Sequence, residues 1–204
     1  MANIWPLGQT ASEIYAEDER QRALSASVNK QWSDWPQLPR RRNEGESAPL
    51  APIAAAYLNA RSLFEEERYP EAFDAFLACM RMASQPGDSP FVISCMFYCA
   101  NIMEGNGRYD EALRVYAQLT SLVEQSGSDR NKAALYFHRG TTIAIKAMEE
   151  PTPTYTDELR ESVHDLNKSL WLYHTMNDCK AEHVVIDNIY IVTEDLKDSD
   201  RSGG

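Results

Sequence analysis

From Ala51 onward, apolar and polar positions alternate with the 3.6-residue period of an α-helix, in one segment after another. The pattern predicts a helix from about Ile53 to Glu66 and a second from Pro70 to Met82. A third runs from Ser89-Pro90 to Met103, and a fourth from Asp110 to about Gln125. Pro70 and Pro90 suit first helical positions, where a missing N–H costs nothing, and Ser89 and Asp110 read as caps. Gly105-Asn106-Gly107 stops the third helix, and polar runs at Ser84–Asp88 and Ser126–Asp129 separate the helix pairs. A last amphipathic stretch, Ala181 to Leu196, carries Val185, Ile189, Val192 and Leu196 at helical spacing. Its β-branched runs, Val184-Val185-Ile186 and Tyr190-Ile191-Val192, leave a strand as the competing reading. Within a helical array a helix fits better, capping an otherwise open end. Asp198 to Gly204 reads as a polar, frayed tail.

Residues 1–49 differ in texture. They hold Trp5, Trp32 and Trp35, four prolines and the basic run Arg40-Arg41-Arg42. One helix is expected over Ser12–Lys30, then extended chain at Trp35-Pro36-Gln37-Leu38-Pro39 and a polar linker. The domain division that follows is an extension over 1–49, a helical domain over 50–197 and a tail over 198–204.

The helical part repeats itself. Arg68-Tyr69-Pro70-Glu71-Ala72-Phe73 is echoed 40 residues later by Arg108-Tyr109-Asp110-Glu111-Ala112-Leu113. Ala60 and Ala100 precede the repeated alanines at one fixed distance, and Gly140 continues the 40-residue period. Small residues at a fixed period are what close approach of helices requires. The spacing resembles that of the tetratricopeptide repeat family. Repeat one offers Ala56, Asn59, Ala60 and Leu63, then Ala72 and Phe76; repeat two offers Met96, Cys99, Ala100 and Met103, then Ala112 and Tyr116. A weaker third offers Tyr136, Arg139, Gly140 and Ile143, then Ser162 and Leu166 after an insertion at Glu150–Thr154. The resemblance covers about residues 53–176, with a period longer than the family's usual 34. It implies an all-α fold: a right-handed α-solenoid of about three helix hairpins with a C-terminal capping helix and a largely irregular N-terminal extension.

The resemblance also implies a concave groove lined by the first helix of each pair. Carried over, its positions are Ala54, Tyr57, Arg61 and Phe64; Ser94, Phe97, Asn101 and Glu104; and Ala134, Phe137, Thr141 and Ala144. Of these Tyr57, Arg61, Phe64, Phe97, Asn101, Phe137 and Thr141 form the expected partner-binding set. The aromatics recur 40 apart, either exposed in the groove or packed between repeats. The family's carboxylate clamp for chaperone tails is largely missing: Tyr57, Arg61 and Ala134 occupy positions where Lys, Asn and Lys are expected, and only Asn101, Arg139 and His138 lie near such a layout. A mixed or apolar peptide suits such a groove better. Trp32, Trp35 and Leu38 form a second candidate, a linear anchor that either docks on the repeats or meets a partner.

Composition narrows the function. The 204 residues are 43% hydrophobic and 25% charged, which suits a globular chain. The net charge of −11 argues against bulk nucleic-acid binding. No apolar run is long enough for a membrane span, and the start lacks a secretory pattern or a myristoylation glycine, so a cytoplasmic location is expected. Cys95 and Cys99 share a helix face without further ligands at metal spacing, and read as buried thiols. His138, His164, His174 and His183 are scattered, with His138 placed near the inner face beside Phe137. Glu65-Glu66-Glu67 and Glu149-Glu150 read as solvated surface. No catalytic residue, metal site or cofactor is expected. The favoured expectation is a non-enzymatic interaction module, an adaptor or assembly subunit that binds a partner peptide or helix. A small acidic chaperone is the alternative, and a ligand sensor or enzyme a second one.

Overall fold

The structure, a computed structural model, describes residues 52–84, 89–126 and 128–202. The expected helix over Ser12–Lys30 and the candidate anchor Trp32, Trp35 and Leu38 lie outside the described residues. Among the described residues seven helices follow one another: α1 (Pro52–Glu65), α2 (Tyr69–Met82), α3 (Ser89–Gly105), α4 (Tyr109–Ser126), α5 (Asp129–Glu149), α6 (Tyr155–Thr175) and α7 (Cys179–Ser202). Each packs against its sequence neighbours, so α1–α2, α3–α4 and α5–α6 form stacked hairpins and α7 lies on α6. This is an all-α solenoid, with no strand among the described residues.

The repeated Arg-Tyr-x-Glu-Ala motif starts the second helix of each of the first two hairpins. Arg68 and Arg108 accept the first helical bonds at their carbonyls, from the Ala72 and Ala112 N–H groups. Their guanidinium groups fork onto Glu71 and Glu111 one turn on. Asp110, expected to cap α4, sits instead inside its first turn, where its carboxylate takes Lys146 of α5. The reason is that Arg108 already occupies the capping position, one residue before the helix.

Three turns end on the same device. Glu67, Gly107 and Asn177 adopt positive φ of 60°, 70° and 55°. The following N–H reaches back to Leu63, Met103 and Tyr173 carbonyls at 3.0, 2.9 and 3.0 Å. These are Schellman motifs, which satisfy the last carbonyls of a helix. The α5–α6 turn is built differently: residues 150–154, the insertion read from the sequence, bridge two longer helices.

The small residues at the 40-residue period sit at the closest approaches. Ala60, Ala72, Ala100, Ala112, Gly140 and Ser162 are all fully buried. At Gly140 a Cβ would meet the Leu166 Cγ at 3.1 Å, the Ser162 carbonyl oxygen at 3.1 Å and the Asp165 Cβ at 3.2 Å. That spacing explains glycine there, where repeats one and two have alanine.

Rings join one hairpin to the next in a recurring seam. Phe76 of α2 stacks on Tyr98 of α3 with centroids 4.6 Å apart and an interplanar angle of 7°. One period later Tyr116 of α4 stacks on His138 of α5 at 6.2 Å and 15°. In the third seam Leu166 and Asn188 stand at the same separation in sequence, and both are fully buried. The last helix resolves the helix-or-strand alternative: Val185 and Val192 are buried and the helix continues to Ser202, beyond Leu196 where the apolar pattern stops. Tyr155 and Thr156 of α6 hydrogen-bond Asp195 and Ser199 in that continuation.

Candidate functional site

The helix that decides the groove is α3. From Ser89 to Met103 it contains no charged side chain, so burial on most of its surface costs no ion desolvation. Its neighbours α1, α2 and α4 cover it, leaving Ser94, Phe97 and Asn101 all buried.

The groove aromatics are therefore core. Tyr57, Phe97 and Phe137 are 2%, 0% and 0% exposed, which withdraws them from the expected partner-binding set. Tyr57 packs edge-on to Phe91 and Tyr98, and Phe97 lies against Tyr116 and His138. Thr141 is withdrawn too: its hydroxyl donates to the Phe137 and His138 carbonyls, 3.0 and 2.9 Å away, inside the core. The physical reason is common to all four. Each position faces a neighbouring helix: Tyr57 meets Phe91 and Tyr98 of α3, Phe97 meets Tyr116 of α4 and His138 of α5, and Phe137 and Thr141 lie in the largely buried 133–148 stretch of α5.

What stays open is a cleft of about 640 Å³ between α1 and α3. Arg61 and Phe64 of α1 line it, with Tyr98 and Asn101 of α3, Tyr69 at the start of α2 and Asn106 in the α3–α4 turn. Phe64 is the hinge of its floor, edge-on to Tyr98 at 4.9 Å and to Tyr69 at 5.4 Å. Arg61 stands half exposed at the rim, held by Glu65 at 2.7 Å one turn along α1. Asn106 donates to the Ile102 carbonyl at 2.6 Å, which orients its amide at the far rim. The cleft thus offers an aromatic floor with a polar, mixed-charge edge. Three of the seven expected groove residues, Arg61, Phe64 and Asn101, come together in it. Tyr98, Tyr69 and Asn106 were missed; Tyr98 could have been found from its place one period before His138.

Beneath the cleft lies a polar knot. Glu104, at the end of α3, turns its carboxyl inward, where it accepts from Tyr116 at 2.7 Å, from Thr142 and from Asn101. Burial pushes that carboxyl up to about 7, against hydrogen bonds that favour the charged form. His138, expected near the inner face, is fully enclosed by Phe97, Tyr116 and Phe137, and burial pulls its imidazole down to about 3. Cys79, Cys95 and Cys99 are buried thiols, and burial pushes Cys99 up to about 12. Cys179, first residue of α7, is exposed. Among the described residues no helix is long and apolar enough to cross a membrane.

Residues 52–125, which take in helices α1 to α3 and nearly all of α4, match the family model of the tetratricopeptide repeat. No curated protein matches the chain.

Proposed function

We propose, starting from the tetratricopeptide repeats of residues 52–125, that this chain is a non-enzymatic adaptor or assembly subunit. It binds a peptide or helix of a partner protein through the cleft between α1 and α3. Such repeats generally mediate protein–protein interaction. The observation that supports this surface is the cleft itself: aromatic rings at the floor and Arg61, Glu65 and Asn101 at the edge. An aromatic floor supplies buried area, and a polar edge orients the bound segment. The walls are helices fixed by their neighbours, α1 packed on α2 and α3 packed on α2 and α4, so little conformational entropy is lost on binding. The Trp32, Trp35 and Leu38 segment serves as a second, linear anchor for the same assembly.

The test starts from the protein that co-purifies in stoichiometric amount with the full chain. Its affinity is then measured by calorimetry for wild type and for Arg61→Glu combined with Asn106→Ala. Loss of about tenfold or more, with the helical spectrum intact, is the expected outcome. Unchanged affinity would move the binding surface elsewhere on the molecule.

A further inference from the structure

On the third hairpin, α5 and α6 enclose another cleft, of about 750 Å³, which shares no residue with the one between α1 and α3. Its lining includes Lys132 and Tyr136 of α5 and His164, Lys168, Trp171 and Leu172 of α6. Trp171 is 65% exposed, although it lies on a helix that packs closely along α5, toward the C-terminal end of α6. An indole left in solvent at the mouth of a cleft has the character of an interface anchor, since tryptophan, tyrosine and arginine dominate binding energy where they become fully desolvated.

The charge of the lining runs against that of the whole. Two lysines stand against a single carboxylate, Asp129, on a chain of net charge −11. Asp129 is engaged by Lys132 at 3.1 Å. The Tyr136 ring has the Lys168 ammonium over it at 4.9 Å and the Arg139 guanidinium at 5.8 Å. Arg139 is committed to Asp165 by two hydrogen bonds of 2.5 and 2.7 Å, so its charge is balanced from within. The surplus cation belongs to Lys168, one turn from Trp171 on the same helix. The cleft therefore pairs a positive edge with an indole, a phenol and a leucine.

We infer that the α5–α6 cleft is a second docking surface, for a short acidic segment of a partner protein that carries an apolar side chain. The carboxylates meet Lys132 and Lys168, and the apolar side chain packs on Trp171 and Leu172. A basic segment is disfavoured by the lysines, and a nucleic acid by the acidic remainder of the chain.

A random-peptide display on the immobilised full chain tests this, with Lys132→Glu/Lys168→Glu as the counter-bait. The expected result is enrichment of peptides with two or more Asp or Glu beside an aromatic or aliphatic residue. Their synthetic forms bind about tenfold or more weakly to the charge-reversed variant, weaken as salt rises, and weaken with Trp171→Ala. The Arg61→Glu/Asn106→Ala variant leaves them bound, which separates this surface from the other cleft. Because Lys168 and Trp171 are exposed, Lys168→Glu and Trp171→Ala each retain the wild-type melting curve, so a binding loss is not an unfolding. Enrichment of basic or uncharged peptides, peptides held equally by the reversed variant, or no enrichment at all overturns the inference.

Discussion

Glu104 and His138 are two buried titratable groups that share one neighbour, Tyr116, and act on stability in opposite directions. The Glu104 carboxyl has an ordinary value of 4.5 and is raised to about 7 in the fold. Between those values the folded state holds the extra proton, so stability falls as pH rises through the window. The His138 imidazole has an ordinary value of 6.5 and is lowered to about 3. Between those values the unfolded state holds the extra proton, so stability rises with pH. The two slopes, each up to about 1.4 kcal/mol per pH unit, oppose one another where the windows overlap. Glu104→Gln keeps an acceptor for Tyr116 and Thr142 and removes the titration. The variant is expected to gain stability at pH 8 and, from pH 4.5 to 6.5, to become steadily more stable while wild type stays nearly flat. Chemical denaturation at several pH values reads this directly; parallel wild-type and variant profiles would refute it.

Arg139 and Gly140 lie next to each other on α5, and both meet α6. Arg139 holds Asp165, whose side chain is 0% exposed. Arg139→Ala strands that carboxylate and is expected to cost about 3–5 kcal/mol, far more than loss of an exposed pair such as Arg160–Asp157. Gly140→Val forces bulk against the Ser162 carbonyl oxygen and is expected to cost about 2–3 kcal/mol. Urea titrations of both variants check the ranking, which fails if the exposed pair proves as costly.

Helices carry the repeat more faithfully than residues do. The period in Ala60, Ala100 and Gly140 is readable because close packing tolerates few side chains at those places. The ends of helices were legible to within a residue or two, as at Glu65 and Met82, but the left-handed turn residue only where it is glycine: Gly107 is visible in the sequence, whereas Glu67 and Asn177 adopt the same conformation with no glycine to mark it. Glutamate there is strained, so Glu67→Gly is expected to stabilise by about 0.5–1 kcal/mol. A melting temperature at or below wild type would show that no strain is stored at that turn. The exposure of Tyr57, Phe97 and Phe137 was not legible. An aromatic at a groove position reads alike whether the facing side is solvent or another helix, and only the packing of α3 and α5 against their neighbours decides it. Arg61, Phe64 and Asn101 were placed by the repeat register alone.

Taken whole, the described residues form a stack, and the α1–α3 and α5–α6 clefts differ in kind. At the C-terminal end α7 covers α6 through Val185 and Val192, so the third hairpin does not end in exposed core. The α1–α3 cleft and the α5–α6 cleft share no residue and differ in charge; under the docking roles proposed above, one chain would hold two segments at once. All of this rests on hairpins held together at small residues every 40 positions. Thermal melting of Ala100→Leu, beside Asn59→Leu as an exposed control, tests that basis most directly. Ala100 is fully buried between helices, so overpacking it should cost about 2–3 kcal/mol and lower the melting temperature by roughly 5–10 °C, while the control stays at wild type. An Ala100→Leu protein that melts with wild type would mean that these helices do not meet there, and the stacked architecture would have to be abandoned.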